Sequence, residues 1–218
     1  MLSQFAPLFV KAFYETLIMV GASAVLAFLL GLPLALLLVL TAPGGIYSAP
    51  KVYQIVGFIV DGIRSTPFIV LLVLLIPLTR LLIGTSIGVQ AAIVPLTLSI
   101  TPYFARIAEI SLREVPKGLI EAAQAMGCER PHIVRHVLLP EAMPGIAAAC
   151  TICIVSLFNI SAMAGVLGAG GLGDLAIRYG FDRYEPTIMF AVVAILFVLV
   201  AGAQKTGDSF VKYLRRNI

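Results

Sequence analysis

Five stretches of this 218-residue chain stay apolar for about as long as a helix needs to cross a bilayer. They run from about Thr16 to Leu40, Val52 to Leu78, Val89 to Ile110, Gly145 to Leu167, and Thr187 to Gln204. A span takes roughly 20 residues at 1.5 Å rise per residue. Charged residues make up only 12% of the chain and mean hydropathy is +1.05, whereas a soluble domain carries about 25% charged residues. The solvent for this chain is therefore lipid. Backbone polar groups in lipid must be satisfied internally, so the expected fold is all-α and integral to the membrane, with five transmembrane helices. Gly31 and Pro33 interrupt the first stretch, Pro67 the second, and Pro95 and Pro102 the third, which predicts kinked helices around a cavity.

Charge placement predicts orientation. Lys51, Arg113, Lys117, Arg130, Arg135, Lys205, Lys212, Arg215 and Arg216 fall on one side of the five spans. Lys11, Arg80, Arg178 and Arg183 fall on the other. The richer side is cytoplasmic, so the N-terminus is expected outside and the C-terminus inside. The net charge of +4 reports this topology and does not point to nucleic acid. The N-terminus lacks the pattern of a cleavable signal peptide. No inverted or direct repeat is visible, and five spans do not divide evenly, so the pathway is expected to be completed by a second copy of the chain.

Two charged pairs interrupt the apolar runs. Asp61 and Arg64 lie three residues apart in the second stretch and form an expected intramembrane pair; Arg106 and Glu109 repeat the spacing in the third. No lone carboxylate stands out as a proton carrier.

Three local patterns resemble motifs that their context does not support. Gly168 to Gly173 reads "GAGGLG", but a membrane-length helix precedes it where a dinucleotide site needs a strand. These glycines are expected to break the helix and start a re-entrant turn on the outside. Cys150 and Cys153 form a C-x-x-C inside an apolar run and read as small packing residues. His132 and His136 are four apart, but position 133 is Ile and no metal is expected. The sequence contains no P-loop and no evident Ser-His-Asp constellation, so no catalytic role is expected and energy for uphill movement must come from elsewhere.

The segment "IEAAQAMGCERPHIVRHVLLPEAMPGI", Ile120 to Ile146, is the polar exception between the third and fourth spans. "PKGLIEAAQAM", from Pro116, predicts about three helical turns, too short to span. Leu119, Ile120, Ala123 and Met126 form its apolar stripe, and Ala122, Ala123 and Ala125 keep it thin. Gly127 suits the left-handed residue that ends a helix. Pro131 then opens a second helix with Ile133, Val134, Val137 and Leu138 opposite His132, Arg135 and His136. Pro140 is expected to stop it, and Pro144 to precede the fourth span. On spacing alone this element is either a cover for the bundle or a docking hairpin.

Glu121, Ala122, Ala123, Gly127, Leu139 and Pro140 stand where the EAA loop of ABC importer permeases has its signature residues, and this segment resembles that loop. "RSTPFIVLLVLLIPLTR", "GTSIGVQAAIVPLTLS" and "SAMAGVLGAGGLGDLAIRYG" extend the resemblance over nearly the whole chain, to the methionine uptake permeases in particular. Those permeases are expected to carry a Gly-Tyr pair where this chain has Asn159 and Ile160. The resemblance implies a type I importer fold, with a permease domain over 12–208, a cytoplasmic coupling loop over 111–144 and a basic tail over 209–218. It implies a bacterial inner-membrane location, a homodimer, two cytoplasmic ATPase subunits and an external substrate-binding protein. Cofactors are expected to be none in this chain, with ATP and Mg on the ATPase. Ser161, Met163 and Asn159 are the candidates for the pathway or gate. The alternatives are an ABC permease for another small solute, or a gradient-driven transporter.

Overall fold

The computed structural model describes residues 2–216, and among them every regular element is helical. Helix α1 is Leu2–Thr41, α2 Pro50–Ser65, α3 Phe68–Leu74, α4 Ile76–Ile83 and α5 Val89–Arg113. The hairpin contributes α6, Lys117–Ala125, and α7, Arg130–Ile133. Helix α8 is Leu139–Ala164, α9 Gly171–Leu175 and α10 Pro186–Arg216. Four stretches are long and apolar enough to span: Phe5–Thr41, Val89–Arg113, Arg130–Ala169 and Pro186–Arg216. A fifth is present if the bent pair α2 and α3 is counted as one.

In that second apolar stretch the interruption expected at Pro67 is present and sharp, dividing it into α2 and α3. The chain turns by 106° between α2 and α3. Pro67 has no N–H, and it pushes Thr66 out of the helical region to φ −82°, ψ 127°. The Ser65 and Thr66 hydroxyls donate to the Asp61 and Gly62 carbonyls at 2.7 and 3.0 Å, satisfying acceptors near the end of α2.

Elsewhere, expected breaks are absent. Helix α1 runs unbroken through Gly31 and Pro33. Gly31 is a point of close approach: a Cβ there would lie 2.6 Å from Phe104 Cδ1 and 3.1 Å from the Thr101 carbonyl oxygen on α5. Pro140 and Pro144 do not stop the hairpin helix either. From Arg130 the helix continues into α8 through a widened turn at Val134–Leu138, where the Leu139 N–H reaches back five residues to the Val134 carbonyl. The wider turn eases the conflict between the Pro140 ring and the preceding turn. At the other terminus, the basic tail is the last part of α10 through Arg216; residues 217–218 lie outside the described part.

Helices α1, α5 and α8 build the main core, with Met19, Leu96, Phe104, Leu112, Cys153 and Leu157 at its centre. A smaller cluster, Ala12, Leu172, Leu175, Ile188 and Val192, joins α1, α9 and α10. Large apolar side chains face outward along α1 and α10, including Leu29, Phe190 and Phe197. In water such a surface would be unstable; in lipid it is the expected exterior.

Candidate coupling hairpin and membrane charge network

The hairpin closes on a complete helix-ending motif. Gly127 has φ +78°, its N–H donates to the Gln124 carbonyl at 2.9 Å, and the Cys128 N–H donates to the Ala123 carbonyl at 3.1 Å. The paired bonds satisfy carbonyls that the last turn of α6 would otherwise leave free. Only a glycine adopts that φ without a Cβ penalty.

The apolar stripe expected on α6 divides between two directions. Ala123 is buried and Ile120 packs on the main core, while Leu119, Ala122 and Met126 are exposed. The outward positions fall at i, i+3 and i+7, one helical face, flanked by the exposed Glu121 and Ala125. Ala123 therefore supports the hairpin from within, and the smooth outer surface belongs to Ala122. The second half follows expectation: Ile133 and Leu138 are fully buried, and His132, Arg135 and His136 are exposed. The two imidazoles stack with ring centroids 4.1 Å apart. Leu139 and Pro140 sit at the start of α8, just past the widened turn.

The pathway candidates on α8 are not equivalent. Ser161 is buried and its Oγ donates to the Phe158 carbonyl at 2.9 Å. Asn159 and Met163 are exposed, four residues apart, in a stripe with Ile152 and Val166. Cys153 is buried in the core and Cys150 packs against it, as small packing residues would.

The two charged pairs of the second and third stretches join, with Arg113, in one network that local spacing does not reveal. Asp61 is 3.3 Å from Arg64, but its stronger partner is Arg106 of α5. Arg106 donates to both Asp61 oxygens, from Nε at 3.0 Å and Nη2 at 2.7 Å. Its Nη1 donates to Glu109 Oε2 at 2.7 Å, and Arg113 Nη2 donates to Glu109 Oε1 at 2.6 Å. Glu109 is buried and held between two guanidinium groups. Bidentate Arg–carboxylate geometry is the strong form of the ion pair. The Arg113 guanidinium also lies 5.4 Å from the Tyr53 ring centroid, and that of Arg64 lies 5.7 Å from the Tyr103 centroid. Both are within the range of a cation–π contact.

At the opposite end, the glycine run is a turn. Gly168, Gly170 and Gly171 all have positive φ. The Glu15 carboxylate accepts from the Gly171 N–H at 2.8 Å and Thr16 Oγ1 accepts from the Leu172 N–H at 2.9 Å. These two α1 side chains hold the first turn of α9. The returning segment packs tightly on the end of α8: a Cβ on Gly173 would lie 2.6 Å from the Ala162 Cα.

Comparison with known proteins places this architecture. The family described as "Binding-protein-dependent transport system inner membrane component" matches residues 31–217. A Vibrio cholerae relative named "Probable D-methionine transport system permease protein MetI" is 48% identical over 205 residues, covering 94% of this chain and 91% of its own. The Escherichia coli K12 "D-methionine transport system permease protein MetI" is 51% identical over 158 residues, covering 72% and 73%. Among solved structures, a chain of "Inward facing conformations of the MetNI methionine ABC transporter" superposes with a TM-score of 0.95 at 47% identity, covering 97% of this chain and 98% of that one. The chain belongs to the family of binding-protein-dependent transport system inner membrane components.

Proposed function

We propose that this chain is the membrane-spanning permease subunit of an ATP-driven importer of methionine. It works as a homodimer, with two cytoplasmic ATPase subunits docked on its two α6–α7 hairpins and an external binding protein that delivers the amino acid. The observation that carries the reading is the near-complete superposition on a chain of a methionine ABC transporter, at 47% identity over 97% of this chain. The bacterial relatives, named as D-methionine permeases, support the same substrate. The chain sits in the inner membrane with its N-terminus outside and its C-terminus in the cytoplasm, as the basic residues of the hairpin and of α10 favour. The permease domain spans 12–208, the coupling loop lies within 111–144, and the basic tail occupies 209–218.

The permease contributes mechanics, with ATP and Mg bound by the ATPase. The outer face of α6, with Glu121 and Ala122 and the exposed Met126, enters a groove of the ATPase. Ala122 permits close approach, and Gly127 turns the chain back. Leu139 and Pro140 pass the movement into α8. A shift between inward- and outward-facing states requires contacts that differ between them. Reversing a 99:1 population takes about 5.5 kcal/mol, a demand that binding and hydrolysis of ATP by the partner would meet. On α8, Asn159 and Met163 line the pathway or gate, and Ser161 lies buried with its hydroxyl bonded to the Phe158 carbonyl of the same helix. The Met163 thioether is a soft, adaptable neighbour for the apolar side chain of methionine.

Purification with the cognate ATPase tests the reading. A stable complex of two permeases and two ATPases is expected, with ATP hydrolysis that methionine modulates together with the binding protein. Failure of the two subunits to associate would refute it, and a response to a different solute alone would refute the substrate.

A further inference from the structure

Helix α2 is attached to the bundle in an unusual way. Among the described residues, none from 50 to 65 belongs to either hydrophobic cluster. Within α2, only Gly57 and Val60 are buried. Beside the buried Val60, its attachment to α5 is polar. Arg106 reaches across to both oxygens of Asp61 and to the Gly57 carbonyl, the latter at 3.3 Å. Glu109, buried on α5, holds the same guanidinium from the other side. Gly57 is small for a reason visible in the geometry: a Cβ there would lie 3.0 Å from Arg106 Nη2.

Both ends of α2 join other parts of the fold. Before its N-terminus, Tyr47 of the α1–α2 loop lies under the Arg130 guanidinium of the hairpin, at 5.3 Å. Beyond its C-terminus, the 106° bend leads into α3, whose Phe68 sits in the main core. A rigid rod held toward one end by a directional contact, with a bend just beyond it, can act as a lever. Apolar packing would allow α2 to slide or roll on α5, because it is non-directional. A bidentate Arg–carboxylate pair constrains both distance and orientation.

We propose that the Asp61–Arg106–Glu109 network makes α2 and α5 one mechanical body, so that hairpin movement is carried to the Thr66–Pro67 bend. Asp61 and Arg106 are positioning residues: they act through the placement of α2, and they set how much of the ATPase cycle becomes transport. This rests on the reading as an ATP-driven importer.

The test uses the reconstituted permease–ATPase complex with Asp61→Asn, Arg106→Gln and the double variant, measuring methionine moved per ATP hydrolysed. Each single variant is expected to assemble and hydrolyse ATP, with transport per ATP reduced about fivefold or more, the low end of a typical coupling effect. The double variant is expected to be no worse than the poorer single variant, because both remove one contact. A merely structural pair would lower the yield of complex and leave transport per ATP unchanged, which would overturn the proposal. Hydrogen exchange supplies a second measurement that needs no transported solute. In the parent complex, the amides of α2 and α5 are expected to respond together to ATP with vanadate, and in Asp61→Asn to respond separately. Independent responses in the parent would overturn the lever even if methionine is imported. A parent complex with joined responses but no methionine uptake would support the lever and refute the substrate.

Discussion

Gly173→Ala is the smallest change that strains the return of the external segment onto α8. The added Cβ would lie 2.6 Å from the Ala162 Cα and closer still to its carbonyl oxygen. Moving the Cα from 2.6 Å to the 3.4 Å of ordinary contact alone requires a separation of about 0.8 Å, the nearer carbonyl oxygen requires more, and both obstructing atoms are backbone. No rotamer change relieves that clash, so the crossing itself must open. Overpacking in a filled interior costs about 1–3 kcal/mol, and a rigid backbone crossing belongs at the upper end. For a chain of this size about 1 kcal/mol moves the unfolding midpoint by roughly 2–4 °C, so at about 3 kcal/mol a fall of about 6–12 °C is expected. Thermal unfolding of the purified complex in detergent measures it. Gly21→Ala on α1 is the control, since a Cβ there meets nothing within 4 Å and alanine favours helix. A Gly173→Ala midpoint equal to that of the parent would refute the close-packed crossing.

The hairpin separates docking from support. Ala122→Arg, on the exposed face, is expected to leave the permease as stable as the parent while the ATPase no longer co-purifies; Ala123→Arg, at the buried position, is expected to destabilise the permease itself. Retained ATPase with Ala122→Arg would remove this face from the interface. Gly127→Ala forces a Cβ into φ +78°, a cost of about 1–2 kcal/mol, and is expected to raise hydrogen exchange in Lys117–Ala125 while leaving α5 protected.

Much of the fold was legible because hydropathy and short-range signals are local. The lengths of the apolar runs marked the spans, and Gly127 marked the end of α6 before its hydrogen bonds were known. The break at Pro67 was visible only as a proline. Pro33 and Pro144 are prolines too, yet α1 and α8 continue through them, so packing and hydrogen bonding around each one decide the outcome. The charges were the greater omission. The sequence pairs Asp61 with Arg64 because i, i+3 neighbours share a helix face, while its bidentate partner, Arg106, lies 45 residues away. Nothing in a helical period reports which helices adjoin. The same reason hides the direction of Ala123: the period gives a stripe on α6, but which part of it turns inward depends on how α6 packs against α7 and the widened turn.

The central claim is that ATP hydrolysis by a docked partner drives methionine through a dimer of this chain. Proteoliposomes containing the permease and its ATPase, with the binding protein outside and ATP enclosed, test it most directly through uptake of labelled L- and D-methionine. The account predicts accumulation against a gradient that requires enclosed ATP, survives dissipation of ion gradients, and disappears with Ala122→Arg. Uptake that proceeds without ATP, or collapses with an uncoupler while ATP remains, would contradict it.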